Sequence, residues 1–174
     1  MAYPIWNTKI GQSSTASTVS VRGEAGSYPL IHHPTKVFDN NVTTKYFNYG
    51  NGAAPVYSTT KGDNTGLYIT PVNSQSVLKA IQMATADDLQ NRDPLYISIE
   101  GSNAPSNHLI YGSVWNLIYV GSTGLTNVTN RMTFGELINI NNFNTYDSYR
   151  ILVQSQRGRE NGVQYSELHL YGWF

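Results

Sequence analysis

Apolar residues in this chain recur at every second position in short runs, and no stretch sustains the spacing of a long amphipathic helix. The alternation appears at 17–22, 66–70, 77–83, 96–100, 115–120, 148–154 and 165–171. Turn formers close several of these runs: Gly23 the first, Pro71 the second, Gly101-Ser-Asn103 the fourth and Gly121 the fifth. A period of two sends successive side chains to opposite faces of a sheet. Short runs of this kind between turn signals predict an all-β, antiparallel β-sandwich. Residues 77–89 admit a helical reading, but β-branched Val77 and Ile81 and the later pair Asp87 and Asp88 favour a strand followed by a loop. With 174 residues and no repeat, linker or low-complexity tract, the chain is expected to form one domain over 1–174.

Composition removes several classes of function. There is no cysteine, so neither disulfides nor thiolate chemistry are available. Eleven basic residues balance eleven acidic ones, which leaves no net field to draw the chain to nucleic acid or an anionic membrane. Basic residues approach one another only at Arg157 and Arg159. No run nears the roughly 18–20 apolar residues of a membrane span, and the loops offer Tyr and Pro rather than lipid-seeking apolar spikes. The N-terminus lacks a signal peptide's basic and apolar regions. The Tyr, Gly, Thr, Ser and Asn content at low charge matches extracellular β-domains, so secretion or a cell-surface position is expected, with the cytoplasm left open.

The chemistry-bearing residues do not assemble an enzyme. The histidines are His32, His33, His108 and His169, and none stands in a zinc-protease, nucleophile-elbow or phosphate-loop motif. His32-His33-Pro34 reads as a solvated loop rather than a transition-metal site, because no partner follows at ligand spacing. Asp87 and Asp88 are adjacent, so in a strand they point apart, and in a loop they are suited to pairing with Arg92 or capping turns. The expectation is a non-catalytic domain.

One segment carries more. In Lys36-Val-Phe-Asp-Asn-Asn-Val-Thr-Thr-Lys-Tyr46, the oxygen donors Asp39, Asn41 and Thr44 fall within six positions in a turn-prone stretch. Such a stretch is an ordinary Asx-turn or, with further oxygens, a calcium loop, since calcium takes six to eight hard oxygens in flexible geometry. The segment resembles the signature loop of discoidin-type domains, the coagulation-factor type C and carbohydrate-binding-module superfamily with its galactose-binding fold. There an apolar residue precedes Asp, then Asn or Gly, then Asn or Asp, then Thr before a basic residue and an aromatic; here these are Phe38, Asp39, Asn40, Asn41, Thr44, Lys45 and Tyr46. Residues 165–172 are similar to the family's closing strand. Residues 84–94, followed by Ile99-Glu-Gly-Ser-Asn103, are similar to a stretch of a bacterial subgroup. The three matches stand in family order over roughly residues 15–172.

The resemblance implies a discoidin-like jelly roll with a structural calcium ion held by Lys36 and Ser166 through their carbonyls and by Asp39, Asn41, Thr44 and Glu167. It further implies a non-catalytic, lectin-like module for galactose-type or other glycans, bound at loops on one end of the sandwich. The loop aromatics are Tyr28, Tyr49 and Tyr57, with Tyr46 read as core. The polar candidates are His32, His33, Asn48, Arg92, Arg159 and Asn161. A rival reading is a protein-adhesion or self-assembly domain of the same fold, with a protein partner or a homo-oligomer formed through the aromatic end 171–174. The sequons at Asn41 and Asn127 are read as coincidental and uninformative, the first because a glycan would obstruct the calcium loop.

Overall fold

A computed structural model describes residues 1–51, 56–72 and 75–173. Its strands are β1 (Ala2–Trp6), β2 (Thr15–Ala16), β3 (Thr18–Val19), β4 (Ser27–Tyr28), β5 (Tyr46–Asn48), β6 (Gly66–Ile69), β7 (Val77–Ala84), β8 (Pro94–Ser102), β9 (Asn116–Ser122), β10 (Ile138–Asn139), β11 (Ser148–Gln156), β12 (Val163–Tyr165) and β13 (Glu167–Trp173). A six-stranded sheet runs β2-β1-β6-β11-β8-β9, a three-stranded sheet runs β10-β7-β13, and β5 pairs with β12. These pairings are antiparallel; only the short β3–β4 contact is parallel. Helical structure among the described residues is confined to short 3₁₀ turns such as Leu30–His32, Pro34–Phe38 and Gln90–Arg92.

The core lies between the sheets, and the alternation explains how it is filled. Leu67 of β6, Ile97 and Ile99 of β8, and Tyr149, Ile151 and Val153 of β11 meet Ile81 and Met83 of β7 and Leu168 of β13 in one buried cluster. Tyr46 and Tyr165 join it, their rings 5.7 Å apart and edge to face. Burying each large apolar side chain stabilises by about 1.5–3 kcal/mol. The opposite face of the large sheet carries Glu100 and Arg150, which stand directly across from each other in register and are both buried. Arg150 Nε donates to Glu100 Oε2 at 2.7 Å, and its guanidinium lies 4.8 Å from the Trp115 ring. The N-terminal loop closes over this pair: Arg150 Nη1 donates to Gln12 O and Ser14 Oγ, while Gly11 N–H donates to Glu100 Oε1. Close strand approach explains one glycine. A Cβ on Gly66 would stand 1.9 Å from the Ile151 carbonyl oxygen.

The structure departs from the sequence reading in three elements. The run 165–171 is split, because Tyr165 pairs with Tyr46 in one sheet while Glu167 pairs with Ala84 in another. Ser166 is the pivot, its N–H donating to Ala84 O and its hydroxyl to Thr85 O. The run 17–22 forms only the fragment β3, since it is met by the two-residue β4 alone. β1 pairs with β6 and β2, although Pro4 and the absence of a turn signal hide it in the sequence. Residues 77–89 are a strand followed by a loop, as expected.

Register also defines the two poles of the sandwich. Pro94 pairs with Gln156, and Ala84 with Glu167, so Asp93, Arg157 and Asp39 gather at one pole. Ser102 pairs with Ser148, Ser76 bridges Tyr146, and Trp173 pairs with Val77 at the other. The nine residues of β8 separate them by about 30 Å at 3.3 Å per residue.

Candidate functional site

The loop 36–44 folds against the start of β13. The 3₁₀ turn Pro34–Phe38 opens with the His33 side chain accepting from Thr35 N–H, and Asn40 then adopts a left-handed φ of 59° that reverses the chain. This brings Asp39 and Glu167 together. Asn41 N–H donates to Asp39 Oδ1 at 3.1 Å and to Glu167 Oε1 at 2.5 Å, across 126 positions of sequence. The Thr44 hydroxyl lies 2.8 Å and 3.0 Å from the two Asp39 carboxylate oxygens, and Lys36 Nζ approaches Oδ2 at 3.4 Å. The Asn41 side chain turns aside to accept from Thr43 N–H and its hydroxyl. Ser166 is wholly buried beside Glu167.

Glu167 is the telling residue. Its side chain is 0% exposed, and Oε2 is buried without a hydrogen-bond partner. His169 Nε2 is 3.4 Å away without hydrogen-bond geometry. Burial pushes the Glu167 carboxyl above its usual range; the Asn41 N–H and the neighbouring His169 work against this, and the Asp39 carboxylate adds to it. Two carboxylates held together with an orphaned buried oxygen are costly unless a cation joins them. Among the described residues no three His, Cys, Asp or Glu side chains gather in one group. The charge facing an ion here therefore comes from two carboxylates, with neutral oxygens completing the donor set. That mixture suits a hard cation such as calcium better than zinc or copper.

Beside this loop, at the same pole, a polar cluster surrounds β5. Lys45 Nζ is held by Asp87 and Asp88 at 2.7 Å each. Burial opposes charge on Asp88, yet hydrogen bonds from Lys45 and Gln164 outweigh it and hold its carboxyl below the usual range. Arg92 lies 4.8 Å over the Phe47 ring and reaches Glu160 Oε2 and Gln164 Oε1 at 3.4 Å. His32 meets Phe47 edge-on at 6.5 Å and Tyr49 does so at 4.7 Å. Burial, reinforced by Lys45, lowers the His32 pKa, so its ring is neutral at physiological pH. Asn161 N–H donates to Glu160 Oε2, and its side-chain Oδ1 is buried without a partner.

The candidate residues thus divide. Arg92, Asn161 and Tyr49 come together around Phe47 and Glu160. The Arg159 guanidinium turns to the Tyr57 carbonyl. His33 packs on Tyr28 and Thr35 rather than on this cluster. Asn48 is wholly buried, donating to Ser17 Oγ and Tyr46 OH and accepting from Gly50 N–H, so its side chain braces the β5 loop. Phe47, Glu160 and Gln164 escaped the sequence reading. Phe47 follows core Tyr46 in a strand, and opposite facing was the signal that would have found it.

No protein-family model and no curated protein matches this chain. Solved structures do. The third family 32 carbohydrate-binding module of a family 31 glycoside hydrolase from Clostridium perfringens is similar over 86% of this chain and 90% of that one, at a TM-score of 0.61 and 16% identity. A family 32 module from the same organism, solved with N-acetylgalactosamine-β-1,3-galactose, is similar over 98% of this chain and 94% of its own, at a TM-score of 0.58 and 10% identity. The module of C. perfringens NanJ, solved with galactose, is similar over 82% and 87%, at a TM-score of 0.56 and 10% identity. The sheet order, the clip between loop 36–44 and the last strand, and these likenesses agree: the chain has the discoidin-like, galactose-binding-type β-sandwich fold of these carbohydrate-binding modules.

Proposed function

We propose that this chain is a non-catalytic carbohydrate-binding module with a structural calcium clip, and that it takes a glycan at the pole bearing Arg92. The observation that carries the binding reading is the group of Arg92, Glu160, Asn161 and neutral His32 around Phe47 and Tyr49. It combines donors and acceptors for vicinal hydroxyls with the partly exposed Tyr49 ring as an aromatic wall, while Phe47, 4% exposed, supports the group from beneath. Several modules of the same fold were solved with galactose or N-acetylgalactosamine sugars, which supports that ligand class. Glu160 and Gln164 hold Arg92 through Nε and Nη1, which orients the guanidinium and leaves Nη2 to donate to a hydroxyl.

Calcium would be held by Asp39, Thr44 and Glu167 with carbonyls of Lys36, Asn41 and Ser166, fixing the loop beside the glycan pole without touching ligand. The ion supplies charge balance for the two carboxylates and takes no part in chemistry.

A glycan array with the calcium-loaded domain, followed by competition with galactose and N-acetylgalactosamine, tests the reading. Arg92→Ala is expected to weaken the best array ligand by roughly tenfold or more, the cost of losing charge-assisted hydrogen bonds, and to lower the melt as well because Glu160 loses its partner, so affinity is compared well below the variant's melting temperature. Unaltered affinity in a folded Arg92→Ala would remove the glycan from this pole.

A second reading, self-assembly, is favoured by the free edge of β13. Tyr171 and Trp173 are exposed there, and an adjoining groove of about 370 Å³ is lined by Phe38, Ile69, Val77, Leu78, Leu170 and Tyr171 among others. Phe174 lies outside the described residues. Sedimentation velocity decides it, because an assembling chain gains mass with concentration and a monomeric module does not.

A further inference from the structure

The pole remote from Arg92 holds a second polar concavity. It has a volume of about 470 Å³ and is lined by Asn103, Asn116, Phe143, Asn144, Thr145 and Tyr146. Three segments build it: the turn after β8, the start of β9 and the stretch 142–147 that leads into β11. Internal hydrogen bonds fix this frame. Asn103 Nδ2 donates to Thr145 O at 3.1 Å, and its Oδ1 accepts from Asp147 N–H at 2.9 Å. Asn142 binds Asn144 through both N–H and C=O, at 3.1 Å and 2.9 Å. Tyr146 exchanges backbone hydrogen bonds with Ser76.

On that frame two amide side chains are left free. Asn116 and Asn144 are exposed, and neither side chain bonds to a described residue. Phe143 stands beside them 78% exposed. Its ring is held rather than loose: Lys79 Nζ lies 4.2 Å from the ring centroid, donates to Asn142 O at 2.8 Å, and lies 5.6 Å from the ring of Trp173, itself 62% exposed. Cation–π contact on one side orients the ring and leaves most of its surface to solvent.

Among the described residues none that lines the concavity is charged, and the nearby Lys79 ammonium is engaged by Phe143 and Asn142 O, which favours a neutral ligand. Free amides supply donors and acceptors together, and a fixed bare aromatic supplies an apolar wall. That pairing fits a neutral, hydroxyl-rich ring with one apolar face. We propose that the concavity at Phe143 is a second glycan-binding site, about 30 Å from the first by the length of β8, which would make one domain bivalent. The proposal rests on the carbohydrate reading above for its ligand class, not for its location.

The test titrates the ¹⁵N-labelled full chain with galactose, N-acetylgalactosamine and glucosamine oligomers, reading the side-chain amides of Asn116 and Asn144 against Arg92 Nε. One of these probes is expected to shift Asn116 and Asn144, to do so equally in Arg92→Ala, and to bind this pole roughly tenfold more weakly in Phe143→Ala. Phe143 and Asn144 are exposed, so Phe143→Ala and Asn144→Ala leave the melt in place. Shifts confined to Arg92, or amide shifts that vanish in Arg92→Ala, overturn the second site and leave the first. Shifts confined to Asn116 and Asn144 uphold the second site and overturn the first. Probes that shift neither pole overturn both.

Discussion

Chelation with EDTA is expected to lower the melting temperature of the domain by roughly 10 °C, and restoring calcium, but not magnesium, is expected to recover it. An ion present at a hundred to a thousand times its dissociation constant contributes about 3–4 kcal/mol, and a chain of this size loses about 2–4 °C per kcal/mol. Magnesium prefers strict octahedral geometry and is a poor substitute in a loop of carbonyls and carboxylates. Two variants make the result specific. Asp39→Ala removes the response to calcium. Glu167→Gln has opposite effects in the two conditions: it melts above the wild type in EDTA, because it removes a buried charge whose second oxygen lacks a partner, and below it in calcium. Calorimetric melts of the three proteins with and without calcium check this. Superimposed wild-type melts would discard the clip.

Arg150→Met is expected to destabilise the domain by about 3–5 kcal/mol, the cost of leaving one member of a buried ion pair unpaired. Here that member is Glu100, which would keep only the Gly11 N–H. The double variant Arg150→Met/Glu100→Gln is expected to recover most of the loss, since no charge remains to be buried. Because Arg150 also binds Gln12 and Ser14, the single variant should expose the segment 9–14 to protease before the rest of the chain. Urea unfolding with a timed digest measures both. A single variant within 1 kcal/mol of wild type, a change of roughly 5-fold in the folding constant, would show the pair to be dispensable.

The strands were legible where core-facing apolar residues alternate with polar ones on the other face. β8 shows this in Ile97 and Ile99, which alternate with Ser98 and Glu100, and β11 in Tyr149 and Ile151 on either side of Arg150, although Leu152 interrupts the pattern. The alternation also concealed something. Glu100 and Arg150 occupy the outward-facing positions of that pattern and read as solvent-facing, yet the N-terminal loop covers them. Coverage by a distant irregular segment leaves no periodic trace. The donors of loop 36–44 and Glu167 stood out because the turn chemistry is local and the far partner follows from the family resemblance. Residues of the pole bearing Arg92 were legible only in part. Arg92 and Asn161 come from loops that meet through Glu160, and nothing in either loop alone announces the meeting. Asn48 misled for a related reason: a polar side chain in a loop-rich stretch reads as available, whereas its three hydrogen bonds are spent inside the fold. The concavity at Phe143 had no linear signature, being assembled from segments near 103, 116 and 144.

The closure of residues 39–41 on Glu167 bears on the order in which the domain comes into being. Glu167 leaves the ribosome long after Asp39, so in that interval loop 36–44 has one of its two carboxylates. The same delay holds β5 without β12 and β7 without one of its two neighbours. Pairings between such distant positions carry a large loop-closure entropy and fold slowly. A nascent chain halted before residue 163 would therefore be expected to bind calcium weakly and to leave strand edges open to other chains. Arrival of β12 and β13 would seal the sandwich, bring Glu167 to Asp39 and remove those edges in a single step.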